Sequence, residues 1–293
     1  MAQCVGRSQR TGERCKRSAP AGATTCYYHS PAAQQVKSAP RRVELEGLAG
    51  NSSRGAFATK ELSKRTCDDF ETLFAEGTGW GRCGCLFALQ ARRSPRGGTW
   101  AEQREVNLRT MRGLVEQGRS QGILVYDAGT PVGWCQFVPK HQLRFTNTAA
   151  SGADWFITCF VIDPRYRGLG ATGVALRAAI KAISRNGGGV VEGHATAIAP
   201  GPPPKPERKG AHLDGDVLFY GGGAKIRFGV EVDGVGPVTA LYRSRRSMHG
   251  APLGGTVDLF RREGFEAVAV LPRPTSGQAA QVAPDRIVMR RTV

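Results

Sequence analysis

The chain has 293 residues, 40% of them apolar and 8% aromatic, which is enough to build a folded core. Its first ten residues contain no apolar run, and no stretch of 18 apolar residues occurs, which argues against a secretory signal or a membrane span. The formal charge of +17 favours polyanionic partners such as nucleic acid, although a purely solubilising role explains the composition equally well. We expect a cytoplasmic protein whose eight cysteines are reduced.

Four candidate metal ligands open the chain with the spacing C-x10-C-x10-C-x2-H. They are Cys4, Cys15, Cys26 and His29. Thiolate and imidazole are the ligands of tetrahedral zinc, and the segment has almost no core-forming residues besides one pair of tyrosines, so that only a metal could order it. The pattern predicts a zinc-binding module over residues 1–32. The alternative is a disordered basic tail with incidental thiols.

A basic linker follows this module. Residues 1–42 carry eight Lys or Arg side chains against Glu13 alone, and the segment SPAAQQVKSAPRR lacks apolar periodicity. We therefore expect a flexible linker over residues 33–55 and a main domain over residues 56–293.

The first elements of the main domain are expected to be two strands and a short helix. Residues 58–66 read as a strand, and Thr66 with Asp69 would cap a helix that buries its aromatic side chains. The alternating segment 82–89 predicts a strand with Cys83 and Cys85 on one face. This cysteine pair is expected to serve packing, with a second metal site as the less favoured alternative.

A helix, a hairpin and a central strand come next. Thr99 and Glu102 form a capping box, and Gly118 stands at the expected helix end. Residues 122–138 predict a hairpin that turns at Asp-Ala-Gly-Thr. The segment 155–162 is apolar at almost every position, which is typical of a strand covered on both faces.

The last part of the chain predicts two helices and two strands around an inserted region. We expect a helix over residues 170–185 and strands over residues 189–197 and 285–291. A short helix is expected from Thr256 to Arg262. The Gly-rich region 199–254 suggests an inserted hairpin.

The glycine-rich turn after the central strand is the part of the sequence that predicts chemistry. The segment runs DPRYRGLGATG from Asp163 to Gly173 and leads into a helix. Glycines allow close approach and positive φ, and the N–H groups at a helix N-terminus attract an anion such as a diphosphate. Such a turn is a weak signal alone, and the spacing fits neither a Walker loop nor a dinucleotide fingerprint.

These residues resemble the signature of the GNAT superfamily of N-acetyltransferases, Arg/Gln-x-x-Gly-x-Gly/Ala. Arg167, Gly170 and Thr172 occupy its positions, and the threonine is a departure from it. The segments PVGWCQF, TCFVIDPRYRGLG and GTVDLFRREGF are similar to successive blocks of these enzymes. The resemblance covers residues 56–293 apart from the region 199–254. It implies an α/β fold, in which a mixed, splayed sheet is flanked by helices and, in this chain, preceded by the zinc module.

The resemblance also implies acetyl-CoA as co-substrate. The pantetheine arm would lie in the splay against the backbone of Phe160, Val161 and Ile162. Amides of the turn would hold the pyrophosphate, and these belong to Arg167, Gly168, Leu169, Gly170, Ala171 and Thr172.

The acid and base of the reaction are less directly indicated. Many family members have a tyrosine in the last helix that protonates the leaving thiolate, but Phe260 stands there and has no proton to give. Glu192 and His194 lie two apart on a strand and so face one side, as candidates for a base or proton shuttle. A structural, hydrogen-bonded role for both residues is the alternative. Cys159 is interpreted as a buried thiol rather than a nucleophile.

The acceptor stays open between three hypotheses. The first is an amine carried by nucleic acid, such as a modified DNA base or aminoacyl-tRNA, to which the zinc module and the basic surface would bring the enzyme. The N-terminal module itself resembles short Cys-Cys-Cys-His modules of phage and mobile-element proteins. The second is a small-molecule or protein N-acetyltransferase whose pocket the inserted region shapes. The third is a nucleic-acid-binding protein with a decayed acyltransferase site, suggested by Thr172 and Phe260.

Overall fold

The computed structural model describes Val5 and residues 57–74, 83–89, 99–144, 152–220, 224–242, 254–271 and 283–293. These residues build a seven-stranded sheet in the order β1-β2-β3-β4-β5-β11-β10 and a four-stranded sheet in the order β6-β7-β8-β9. The strands are β1 (Ala58–Glu61), β2 (Gln121–Asp127), β3 (Thr130–Pro139), β4 (Trp155–Ile162), β5 (Val190–Ala195), β6 (His212–Asp214), β7 (Val217–Phe219), β8 (Ala224–Val232), β9 (Gly236–Leu241), β10 (Glu266–Val270) and β11 (Ile287–Thr292). The α-helices are α1 (Cys67–Leu73), α2 (Trp100–Glu116), α3 (Ala171–Arg185) and α4 (Val257–Arg262).

The large sheet is mixed and opens beside its central strand. β4 pairs antiparallel with β3 from Trp155 to Ile162, whereas it pairs parallel with β5 only from Trp155 to Ile157. Beyond Ile157 the described strands give β4 no partner on its β5 side. The predicted splayed sheet with a central strand at 155–162 is therefore confirmed.

Helices cover both faces of this sheet. On one face α3 buries Leu176, Ile180 and Ile183 against β2, β3 and β4, while its Arg177 and Lys181 stay exposed. On the other face α1 and α2 form a second core together with residues 85–89 and the remaining side chains of β2 to β4. Because successive side chains of a strand point to opposite faces, this two-sided cover explains why β4 is apolar throughout.

Helix α2 and the hairpin agree with their sequence signals. The N–H of Glu102 donates to Thr99 Oγ1 at 3.2 Å, and the N–H of Thr99 donates to Glu102 Oε2, so the capping box is formed. β2 and β3 turn through Ala128 and Gly129 at φ 44° and 85°, a left-handed pair that matches the twist of a tight hairpin.

Two local predictions near the start of the domain are wrong. The strand expected over residues 58–66 ends at Glu61, and Lys64–Thr66 form a 3₁₀ turn. Thr66 stands at the N-cap of α1 as predicted, but its side chain makes no capping hydrogen bond, because its hydroxyl donates to the carbonyl of Glu61 at 2.9 Å. The carboxylate of Asp69 instead accepts the hydroxyl of Tyr126 at 2.7 Å.

The strand predicted over residues 82–89 is also wrong in the part that the structure describes. Gly84 and Cys85 have φ values of 53° and 52°, and two consecutive left-handed residues turn the chain instead of extending it. The amide of Gln136 holds this turn by donating to the carbonyl of Cys85 at 2.9 Å. Only Leu89 makes a bridge, to Leu143.

The inserted region forms more structure than its sequence predicts. The expected hairpin is present as β8 and β9, and β6 and β7 extend it to a four-stranded sheet. This sheet attaches just beyond β5, where the N–H of Leu241 donates to Ala197 and the N–H of Ala199 donates to Leu241, each at 2.9 Å.

The predicted C-terminal strand is confirmed, and its place in the sheet is seen only in the tertiary structure. β11 lies between β5 and β10, antiparallel to both, so that β10 forms the edge of the large sheet. β10 was not predicted from the sequence. Within the described residues, every helix is too short or too polar to cross a membrane.

Candidate active site

A turn of tightly constrained backbone joins β4 to α3. Asp163 starts it by accepting the N–H of Arg165 at 2.9 Å, and its carboxylate also pairs with the Arg165 guanidinium at 2.6 Å. Gly168 and Gly170 have φ values of 80° and 89°, which L side chains rarely adopt, and Gly170 is the N-cap of α3. The glycines of this turn are therefore required by the backbone.

The amides of this turn are free to bind a ligand. Among the described residues, no acceptor takes the N–H groups of Gly168, Gly170, Ala171, Thr172 or Gly173. They stand at the N-terminus of a 15-residue helix, where the helix dipole favours negative charge. The turn can bind a phosphate group through its backbone.

Arg167 adds a cation to this turn. Its Nε donates to the carbonyl of Ile162 at 3.3 Å, which ties the guanidinium to the end of β4. Desolvation lowers the pKa of Arg167, and Asp163 opposes this effect in part. The carboxylate of Asp163 is already paired with Arg165, so Arg167 is available to an anionic ligand.

Phe160, Val161 and Ile162 lie on the part of β4 that faces the opening. Each pairs with β3 on one side, and within the described strands none pairs with β5 on the other. Backbone groups on the open edge of a strand bind an extended ligand as a further strand would.

The opposite wall of the opening carries a hydrogen-bonded triad around one buried carboxylate. His194 Nε2 lies 2.7 Å from Glu192 Oε1, and Arg290 Nε donates to Glu192 Oε2 at 2.9 Å. Glu192 is 1% exposed. β11 is antiparallel to β5 with Arg290 opposite Glu192, which brings the third member of the triad into place.

The electrostatics of this triad keep Glu192 ionised. Burial by itself raises the pKa of Glu192, but hydrogen bonds from His194 and Arg290 outweigh it and hold the pKa below its ordinary value. An ionised carboxylate only accepts hydrogen bonds, so His194 Nε2 carries the proton and Nδ1 has a free lone pair. The arrangement can therefore take up a proton at His194 Nδ1, while Glu192 orients the ring.

The triad and Phe260 lie on opposite faces of β5. The ring of His194 contacts Phe156, which belongs to the core on the α1–α2 face. Phe260 is fully buried on the α3 face, where a Cβ on Gly193 would stand 2.3 Å from its Cζ. The side chain of Phe260 has no ionisable proton and no contact with solvent. It therefore cannot be the acid, as expected from the sequence.

Sequence reasoning named both members of the pair on β5 but missed Arg290. The sequence does indicate that Arg290 has a partner. Arg290 follows three apolar residues of a strand, and a charged side chain in such a strand needs an oppositely charged or hydrogen-bonding partner. Nothing local to residue 290 tells which partner it meets.

The predicted zinc ligands Cys4, Cys15, Cys26 and His29 lie outside the described residues. Among the residues that the structure does describe, no group of three or more His, Cys, Asp or Glu side chains could hold a metal ion. A second metal site at Cys83 and Cys85 is therefore not supported.

Residues 87–197 match the family described as the Acetyltransferase (GNAT) family. This segment is a GNAT acetyltransferase domain. It contains β2 to β5, α3 and the glycine-rich turn, so the turn, the open edge of β4, Glu192 and His194 fall inside the matched residues, whereas Arg290 lies outside them. The reaction class that follows is acyl-CoA-dependent N-acetyl transfer.

Solved structures similar to the chain are also acetyltransferases. A polyamine N-acetyltransferase of Drosophila melanogaster is 11% identical, with 81% of this chain and 100% of that chain covered and a TM-score of 0.39. An N-acetyltransferase from Staphylococcus aureus Mu50 is 9% identical, with 81% and 99% covered and a TM-score of 0.38. RimL, a ribosomal L7/L12 alpha-N-protein acetyltransferase in complex with coenzyme A, is 11% identical, with 82% and 97% covered and a TM-score of 0.39. The sequence identities and TM-scores of these three structures are too low to show which residues act in the GNAT domain described here. No curated protein matches the chain.

Proposed function

We propose that the acyl-CoA of this N-acetyltransferase lies in the opening between β4 and β5, with its pyrophosphate on the turn from Arg167 to Thr172. The observation that carries the proposal is the set of unpaired amides at the start of α3, next to the unpaired edge of β4. The pantetheine arm runs along Phe160, Val161 and Ile162. Thr172 is half-buried at the second position of α3, where its amide contributes and its side chain need not contact the ligand.

His194 is proposed as the base that takes a proton from the attacking amine. Its Nδ1 has no partner among the described residues, and the Nε2 proton is fixed by Glu192. Amine attack on a thioester needs an unprotonated nitrogen, so a nearby base raises the rate by roughly 10²–10⁴-fold. The contact of Glu192 with Arg290 supports an orienting role for the carboxylate rather than a second base.

The leaving thiolate then needs a proton from a source other than residue 260. The imidazolium formed at His194 is one source, because a base that has taken the amine proton can return it to the departing group. A path through water is the other source. Both leave Phe260 in a packing role, in agreement with its ring contacts to Phe160 and Phe265 at centroid distances of 6.2 and 5.0 Å.

The acceptor is proposed to be an amine carried by nucleic acid. The net charge of +17 and the concentration of cations in residues 1–42 support this choice, since phosphate contacts supply most non-specific affinity. A small-molecule or protein acceptor is the second candidate. The attachment of the inserted sheet just beyond β5, through Ala197 and Leu241, favours that alternative because the sheet could wall a small pocket beside His194. A decayed site in a nucleic-acid-binding protein is the third candidate.

Mass spectrometry of candidate acceptors separates the enzyme from the decayed site. With acetyl-CoA present, we expect an acetyl mass shift on an oligonucleotide or aminoacyl-tRNA amine. The shift should be lost in Arg167→Ala and kept in Arg165→Ala, the neighbouring arginine that already pairs with Asp163. Acetyl-CoA binding without transfer to any nucleic-acid or small amine would contradict the proposal.

Salt dependence tests the role of the basic tail. If residues 1–42 make about three to five phosphate contacts, the slope of log affinity against log salt on duplex DNA is near −3 to −4. Fluorescence anisotropy would compare the full chain with one in which the eight tail cations are replaced by glutamine. Equal slopes for the two proteins would remove the main reason for preferring a nucleic-acid acceptor.

Zinc is proposed to order the N-terminal module through Cys4, Cys15, Cys26 and His29. The donor set of three thiolates and one imidazole is a structural zinc set, and the segment has little else to fold around. Metal analysis of the full chain should find one zinc per chain, and Cys15→Ser with Cys26→Ser should remove it. Retention of zinc by that double variant would refute these ligands.

A further inference from the structure

Three thiols meet on the α1–α2 face of the large sheet. Cys83 and Cys85 come from the turn at residues 83–89, and Cys159 comes from β4. The Sγ atoms of Cys85 and Cys159 are 3.6 Å apart, and the two cysteines are 74 residues apart in the chain. Cys85 is buried, whereas Cys83 and Cys159 are half-buried. All three are free thiols in this structure.

The turn is held against β4 by a short chain of hydrogen bonds. Gln136 donates to the carbonyl of Cys85 at 2.9 Å, and its Oε1 accepts the hydroxyl of Thr158 at 2.8 Å. Gln136 is 1% exposed, so these bonds are shielded from water. Cys85 is itself left-handed at φ 52°, an unusual conformation for a residue with a side chain. The fold therefore fixes Cys85 beside Cys159 through a non-local contact.

The thiols of Cys83 and Cys85 have unlike acidities. A hydrogen bond from Cys85 lowers the pKa of the Cys83 thiol to about 6, although burial opposes this effect. Burial and the neighbouring thiols raise the pKa of Cys85 well above its ordinary value. Because the thiolate is the nucleophile, Cys83 is the member of the cluster that reacts first at neutral pH.

We propose that Cys83, Cys85 and Cys159 form a thiol–disulfide switch, in which reaction with a small-molecule disulfide ends in a disulfide between Cys85 and Cys159. The Cys83 thiolate attacks one sulfur of the disulfide RSSR and releases RS⁻. Cys85 loses its proton to solvent and displaces the second RS⁻ from Cys83, which forms a Cys83–Cys85 bond. Cys159 then loses its proton to solvent and attacks Cys85, and Cys83 leaves as a thiolate. In sum, two thiols and RSSR give one protein disulfide and two RSH.

The geometry suits the last step of this sequence. A disulfide needs an S–S distance of about 2.05 Å, so the Cys85 and Cys159 sulfurs, now 3.6 Å apart, need only a small approach. Cys83 is the favoured leaving group because thiols of low pKa leave fastest.

The switch has a consequence for the enzyme that rests on the proposed function. Cys159 directly precedes Phe160 on β4, on the face that carries Glu192 and His194. A bond from Cys85 to Cys159 would tie the turn covalently to β4, next to the strand edge proposed to bind the pantetheine arm. Oxidation is therefore expected to inhibit acetyl transfer, and a reducing dithiol is expected to restore it.

Peptide mapping of the full-length protein tests the disulfide without any assay of activity. After treatment with glutathione disulfide, trypsin cleavage at Arg82, Arg92, Arg144 and Arg165 should yield peptide 83–92 linked to peptide 145–165. In wild type the rate of the first step, in which Cys83 releases one glutathione, should rise with pH through an inflection near 6. Cys83→Ser should link about tenfold more slowly and lose that inflection, since an ordinary thiol is only a few per cent ionised at neutral pH. Cys67→Ala, a buried cysteine of the same core, should link at the wild-type rate.

Several results would overturn the switch. These are wild type that yields no linked peptide, wild type that stops at a glutathione adduct on Cys83, and wild type whose first release of glutathione shows no inflection near pH 6. All three readouts need only the wild-type protein, so they stand even if a variant fails to fold. A linked peptide in a protein with no acetyl-CoA-dependent activity in its reduced form would refute the proposed function and leave the switch in place.

Discussion

The opening between β4 and β5 has two walls of different construction. The β4 wall, with the turn into α3, presents backbone groups: the unpaired amides of Gly168 and of Gly170 to Gly173, and an unpaired strand edge. The β5–β11 wall presents side chains, in which His194 and Arg290 both bind the buried carboxylate of Glu192. One wall is fixed by local conformation and the other by contacts between distant strands.

This difference predicts how each wall responds to substitution. Backbone groups are lost only when the chain is forced into another conformation or a repulsive group is added, so the glycines are the sensitive positions on the β4 wall. On the β5–β11 wall, each side chain carries part of the proposed proton transfer. Cofactor binding and turnover should therefore be separable by mutation.

The largest expected effect is on turnover, at the side-chain wall. His194→Ala should lower kcat by roughly 10²–10⁴-fold, the usual contribution of a general base, and leave acetyl-CoA affinity unchanged. His212→Ala is the matched control, because that ring stacks on Phe219 in the inserted sheet. Steady-state kinetics and calorimetric titration measure the two quantities. Wild-type kcat in His194→Ala would move the base to another residue.

The next effect is on cofactor affinity, at the backbone wall. Gly170→Asp should weaken acetyl-CoA binding about a hundredfold, because a carboxylate at the helix N-terminus repels the diphosphate and the left-handed backbone is strained. Gly210→Asp is the control, since Gly210 has a similar φ of 98° and open space around its Cβ position. Calorimetric titration with acetyl-CoA measures the affinity of both variants. Equal affinities would place the cofactor elsewhere.

A smaller effect concerns stability at acid pH. The pKa of Glu192 is lowered in the folded protein, so its contribution is present above the unfolded pKa of about 4.3 and is lost as pH falls through the lower folded pKa. Glu192→Gln should therefore destabilise the protein by about 1–3 kcal/mol at pH 7, and the difference should shrink below pH 4. Urea unfolding of both proteins from pH 7 to pH 3 measures it. A difference that is constant over this range would argue against an ionised Glu192.

The smallest expected effect on turnover is at Phe260. Phe260→Leu should keep kcat within about twofold, because the residue donates no proton, while the lost packing costs roughly 1–3 kcal/mol of stability. Thermal unfolding and kinetics of the same variant separate the two effects. A large loss of kcat in a folded variant would mean that the ring positions the thioester.

Much of the fold follows from local signals in the sequence. Capping residues marked the starts of α2 and α4, and apolar runs marked β4 and β11. The strand predicted at residues 82–89 failed, because alternation of apolar residues does not reveal two left-handed residues in succession. β10 was missed because its short sequence, EAVAV, has four exposed positions out of five.

The sequence by itself indicated the glycine-rich turn into α3, since glycine is the residue that most readily adopts the left-handed backbone found at Gly168 and Gly170. It also indicated that Glu192 and His194 share a face, because side chains alternate along a strand. Only the tertiary structure decided that Arg290 neutralises Glu192 and that Cys85 meets Cys159, for both contacts join segments more than 70 residues apart. Such contacts depend on strand order and register, which the packing of the whole sheet sets and no local pattern encodes.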